Sequence, residues 1–177
     1  REVHVWTNRP IWPQGLPHPV HPPTECGPEA DASWWPGDVA GRVAEAIGGD
    51  YTPPEGFDWE LWRGPEAADV EYHPVFHPFH WRAWLDFGTG ALGDMGCHLL
   101  DLPFWALDLK YPATIEAEGP PVHPEMYPRS LTARWTFPAR NNQPPVELTW
   151  YDGGKKPPMW EEGTFRSWPE GVLFVGA

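Results

Sequence analysis

Four runs of β-branched and aromatic residues follow one another through the second half of this chain: Thr114–Glu118, Ser130–Phe137, Val146–Tyr151 and Val172–Val175. Each is bounded by Pro, Gly or Asn turns, and such side chains suit a pleated, half-buried surface, so all four read as strands. A fifth strand reads at the opposite end, where Glu2–Thr7 alternates apolar and polar residues at period two. Between them lies the longest helical pattern, Gly90–Leu107, closed by Pro112. Two shorter helices are expected before it. Asp38–Ile47 has a capping Asp and a Gly48–Gly49 stop, and Phe57–Arg63 ends at Gly64–Pro65. Tyr72–Trp84 reads as a loop-and-turn segment, and the proline-rich stretch Asn8–Gly37 as an irregular exposed connection. One strand, a helical middle and then successive strands predict an α+β domain, with a largely antiparallel open mixed sheet and helices packed on one face.

Composition bounds the rest. The 25 Pro and 18 Gly among 177 residues favour loops, but 15% aromatic content, with 13 Trp, requires burial. A net charge of −13 repels phosphate backbones and argues against nucleic acid as a partner. Cys26 and Cys97 fit no zinc spacing; they form one disulfide or stay as free buried thiols, the second being favoured. No apolar run approaches the ~20 residues of a membrane span. The chain opens and closes on strand-like runs, which reads as a single domain cut from something longer.

Within the central helix, Asp94, His98 and Asp101 fall at i, i+4 and i+7 and project along one face. An i,i+4 Asp–His pair can satisfy itself structurally, or the carboxylate can orient an imidazole that exchanges a proton with a substrate hydroxyl. Spacing alone leaves both open. Gly88–Gly93 (GTGALG) spells a dinucleotide fingerprint, but the preceding HWRAWLDF is a poor strand, which argues against cofactor binding there. His73, His77 and His80 are interrupted by Pro74 and Pro78 and complete no recognisable ligand set, so no metal is expected. Trp81 and Arg82 suit stacking on a sugar ring and a fork of donors to its hydroxyls. Tyr151, Asp152, Lys155 and Lys156 (YDGGKKPP) end a strand in a Gly-rich turn able to reach a ligand; core packing for the tryptophans and a solvated hairpin for this turn are the competing readings.

The pattern G-x-x-x-D-x-G-x-H-x-x-D of Gly90–Asp101 resembles the substrate-site helix of the Gfo/Idh/MocA oxidoreductase family. REVHVWTNRPIWPQG resembles the strand opening that family's second domain. FDWELWRGP, YHPVFHPFHWRAWLDFGTGALGDMGCHLLD, ARWTFPAR, LTWYDGGKKPP and GVLFVG resemble a bacterial branch with an α/β C-terminal domain. Residues 16–54 match poorly and read as an insertion or long loop. The resemblance implies a substrate-binding and oligomerisation domain whose cofactor, NAD or NADP, is bound mainly by an N-terminal Rossmann domain outside this chain, and none by this chain itself. It implies His98 as general acid/base, Asp94 orienting it, and a sugar or polyol substrate touched by Trp81, Arg82, Tyr151 and Lys155. It further implies a homo-oligomer through the sheet, and leaves cytoplasm and periplasm open. NAD-dependent glycoside hydrolysis and a non-catalytic carbohydrate-binding or assembly domain remain the alternatives, and the isolated chain is expected to be inactive.

Overall fold

Five strands form one sheet in the order β2-β3-β4-β1-β5. In this computed structural model they are β1 Glu2–Trp6, β2 Thr114–Glu118, β3 Thr132–Phe137, β4 Val146–Tyr151 and β5 Gly171–Val175. The structure describes residues 1–10, 12, 51–65, 70–77, 80–121, 124–140, 142–162 and 168–176. The expected helix at Asp38–Ile47 lies outside them, as do Cys26 and most of the proline-rich connection. β1 pairs with β4 in parallel and every other neighbour is antiparallel, so the sheet is mixed and mostly antiparallel, as expected.

The helices are α1 Trp59–Arg63, α2 Gly90–Leu99 and α3 Asp101–Ala106, with 3-10 turns at His80–Ala83 and Pro158–Glu162. Asp58 caps α1 by accepting from the Leu61 amide at 2.9 Å, and Gly64 closes it with φ 67°. The expected single helix Gly90–Leu107 is instead two. Pro103 has no N–H to offer the Leu99 carbonyl one turn back, and its ring crowds that carbonyl, so the break falls at Leu100. Asp101 therefore begins a new helix, and Leu100 between the two keeps right-handed α backbone with φ −79° and ψ −21°.

The chain packs as two units, one of Arg1–Pro10, Ala91–Pro121 and Pro128–Ala177, the other of Ile11–Gly90 and Val122–Tyr127. In the first, Val3 and Val5, Ala133 and Phe137, and Val146, Leu148 and Trp150 point to one face of the sheet. Met95 with Leu92, Leu99 and Leu100 covers that face from the helices, and Phe104 packs edge-on against Phe137 at 5.6 Å. Each fully buried large apolar side chain contributes about 1.5–3 kcal/mol, so this apolar layer fixes where the helices sit.

Residues alternating with these point to the opposite face: Glu2, His4 and Trp6 on β1, and Glu147, Thr149 and Tyr151 on β4. Trp6 is covered there by the edge of Trp160 at 5.4 Å, and its indole donates to the Trp168 carbonyl at 3.2 Å.

The second unit is an aromatic cluster. Trp59 stacks on Trp62 at 5.0 Å and donates to the Val70 carbonyl, while Phe76 and Phe87 meet at 5.3 Å. His73 and His77 serve packing here. His73 is buried and its Nδ1 accepts from the Val75 amide at 3.0 Å, and His77 stacks on Phe57 at 4.6 Å. Among the described residues no group of three or more His, Cys, Asp or Glu is placed to hold a metal ion, and no helix is long and apolar enough to cross a membrane.

Candidate functional site

α2 is amphipathic by its own spacing. Leu92, Met95 and Leu99 recur at i, i+3 and i+7 and face the sheet, which leaves Asp94, Cys97 and His98 on the other side. His98 and Cys97 are exposed and Asp94 is half-buried. Cys97, expected as a buried thiol, is free and exposed because it falls on the helix side turned from the sheet. Its Sγ contacts the Asp94 carbonyl at 3.4 Å. The apolar side of α2 is thus clamped by the core while an imidazole stands open to solvent one turn from a carboxylate. That is an arrangement able to exchange a proton with a hydroxyl.

The helix starts abruptly, and the start explains the glycines. Gly90 has φ +63°, and a Cβ there would lie 2.7 Å from the Tyr127 ring; at Gly88 it would lie 2.6 Å from the backbone of Arg82. The space that a nucleotide fingerprint keeps for a pyrophosphate is filled by this chain's own atoms. The preceding segment is the 3-10 turn His80–Ala83 rather than a strand. The GTGALG residues do not fit NAD or NADP.

The other sequence-derived candidates are placed separately. Tyr151 points to the sheet face away from α2, because it alternates with Leu148 and Trp150, which face the helix. The pleat therefore sets Tyr151 and His98 on opposite sides of the sheet. Lys155 lies in the turn after β4, where its amide donates to the Asp152 carbonyl at 3.1 Å. Trp81 and Arg82 belong to the second unit. The Arg82 guanidinium lies 4.4 Å from the Trp81 ring centre and 5.9 Å from that of Trp12.

The matching family is the oxidoreductase family described by its C-terminal alpha/beta domain, Gfo/Idh/MocA, over residues 44–136, just over half of the chain. The chain belongs to the Gfo/Idh/MocA family. Its matched segment contains α2 with Asp94 and His98, and Trp81 and Arg82 as well; Tyr151 and Lys155 lie beyond it. No curated protein matches the chain.

The burial of Asp152, read from the sequence as part of a turn able to reach a ligand, and two further features of this Gfo/Idh/MocA domain escaped the sequence. Asp152 is buried behind β4, His4 is buried beside Tyr151, and Arg140 closes the end of α3. The Arg140 Nε donates to the Asp108 carbonyl at 2.9 Å, and a second nitrogen donates to the Leu107 carbonyl. A cavity of about 330 Å³ opens beside it, lined also by Arg1 and Gln143, and neither Asp94 nor His98 reaches it. The parity of His4 with Glu2 and Trp6 was readable, but which strand would lie alongside was not.

Proposed function

We propose that this chain is the substrate-binding part of an NAD(P)-dependent oxidoreductase acting on a sugar or polyol hydroxyl, with α2 presenting the reactive side chains. Membership of the Gfo/Idh/MocA family supports the oxidoreductase class. The observation that carries the finer reading is the open His98 imidazole one turn from Asp94 on a helix clamped by the core. In this reading His98 accepts the hydroxyl proton as the carbon bearing it is oxidised, and returns it in the reverse direction. Asp94 orients His98 or holds a neighbouring hydroxyl. The nicotinamide cofactor is held by a nucleotide-binding domain and not by the GTGALG residues, which are packed against Arg82 and Tyr127. Within their own unit, Trp81 and Arg82 offer a stacking surface and a fork of donors suited to a sugar. The sheet face carrying Tyr151 is the surface through which copies of the chain associate.

The test is a panel of sugars and polyols assayed for reduction of NAD or NADP by protein that joins this domain to its nucleotide-binding domain. A hydroxyl-bearing substrate is expected to be oxidised, and His98→Ala to lower turnover by about 10²–10⁴-fold with cofactor affinity retained. Turnover of the variant at the original rate would remove His98 from the chemistry.

A further inference from the structure

β1 and β4 run parallel with His4 opposite Thr149 and Trp6 opposite Tyr151. On the sheet face turned from α2, this register gathers Glu2, His4, Thr149 and Tyr151 into one row. His4 Nδ1 lies 3.1 Å from the Tyr151 hydroxyl, and Nε2 lies 3.4 Å from a Glu2 carboxylate oxygen. The two rings stack with centres 5.9 Å apart, and Thr149 stands two residues before Tyr151 on the same face of β4. His4 is 6% exposed and Thr149 2%, while the Glu2 side chain at the end of the row is open to solvent.

The chemistry of the three bonded groups sets the direction of their hydrogens. An ionised Glu2 carboxylate can only accept, so a neutral His4 carries its hydrogen on Nε2 and leaves Nδ1 as an acceptor. Tyr151 then donates to Nδ1, and both hydrogens point from Tyr151 towards Glu2. An imidazolium donates from both nitrogens, so the Tyr151 oxygen must then accept from Nδ1 and its own hydrogen must turn away from His4.

We propose that Glu2, His4 and Tyr151 form a proton-responsive hydrogen-bond chain in which the His4–Tyr151 link reverses when His4 takes up a proton, which makes this face of the sheet pH-sensitive. The groups facing His4 are few among the described residues. Glu2 lies on its own strand, Tyr151 and Glu147 on β4, and Arg134 on β3, paired with Glu147 at 3.3 Å. Its partner on β5 is the apolar Leu173.

The experiment is a ¹⁵N nuclear magnetic resonance titration of the His4 imidazole across about pH 5 to 8, where imidazoles change charge. The expected neutral form has hydrogen on Nε2 and a hydrogen-bonded Nδ1. Tyr151→Phe should shift the Nδ1 resonance towards that of a free acceptor. Glu2→Gln should raise the fraction with hydrogen on Nδ1, since an amide can also donate to Nε2. A neutral wild-type His4 with its hydrogen on Nδ1 overturns the proposal, as does an unmoved Nδ1 resonance in folded Tyr151→Phe. Should that variant fail to fold, the wild-type tautomer alone decides.

Discussion

The Trp150 indole N–H donates to the Asp152 carboxylate at 2.8 Å, joining the last core residue of β4 to a buried charge just beyond it. The other carboxylate oxygen accepts from the Leu131 amide at 2.5 Å, and the Asp152 amide donates back to the Leu131 carbonyl at 3.1 Å. The end of β4 is thereby tied to the residue leading into β3. Burial pushes the Asp152 carboxyl up from 3.8 to about 6, against the opposing pull of the Trp150 and Leu131 hydrogen bonds and the Lys155 charge.

The sign of the resulting pH dependence follows directly. Between about pH 4 and 6 the folded chain holds a proton on Asp152 that the unfolded chain has lost, so stability falls as pH rises through that window and levels off above it. With about 2 pH units between the two values, the loss is on the order of 3 kcal/mol. Asp152→Asn should remove this component of the slope. It should also be less stable at pH 4, by about 1–3 kcal/mol, because its amide turns one donor towards the Trp150 donor. Denaturant midpoints of both proteins at a series of pH values check this; equal slopes between pH 4 and 6 would rule it out.

On the proposed function, His98 should matter to turnover and not to stability. Its side chain is exposed on α2, so His98→Ala should change unfolding free energy by no more than about 0.5 kcal/mol while abolishing most turnover in the complete enzyme. Thermal unfolding run beside the activity assay tests both halves at once.

Gly88 and Gly90 should be intolerant of even one methyl group. Gly90→Ala combines a left-handed backbone with a clash against Tyr127, and Gly88→Ala meets the Arg82 backbone. Each should cost about 1–3 kcal/mol or more. Gly64, whose φ is +67° but whose Cβ would meet nothing within 4 Å, should cost only the conformational part, about 1–3 kcal/mol. A Gly88→Ala variant as stable as the parent would remove the clash with the Arg82 backbone from this account.

Arg140 closes the C-terminal end of α3 through the Leu107 and Asp108 carbonyls, groups with no partner inside a helix. Arg140→Ala should destabilise the chain by about 1–2 kcal/mol. Arg140→Lys should recover little of it, since an ammonium lacks the planar fork that reaches both oxygens. Unfolding midpoints of the two variants are the measurement.

The sequence made the strands legible to within two residues, because Val, Ile, Trp and Thr runs between Pro and Gly turns have few other ways to be buried. The helix pattern at Gly90–Leu107 is legible as well, but glycine and apolar spacing do not show its break at Leu100, for which Pro103 carries the signal. The Asp94 and His98 spacing was readable because both lie on one helix. Tyr151 was not separable from them, since nothing local says which face of a sheet a helix will cover.

By itself, the sequence determined the five strands, the amphipathic α2 and the placing of Asp94 and His98 on one side of it. Those properties depend on neighbours a few residues away, where backbone periodicity alone sets direction. The tertiary structure decided the rest: β1 beside β4, Tyr151 against His4 and away from α2, Asp152 buried behind Trp150, and glycines filled by Arg82 and Tyr127. Each joins residues that are distant along the chain or sides of an element that look alike in sequence, and only packing chooses among them.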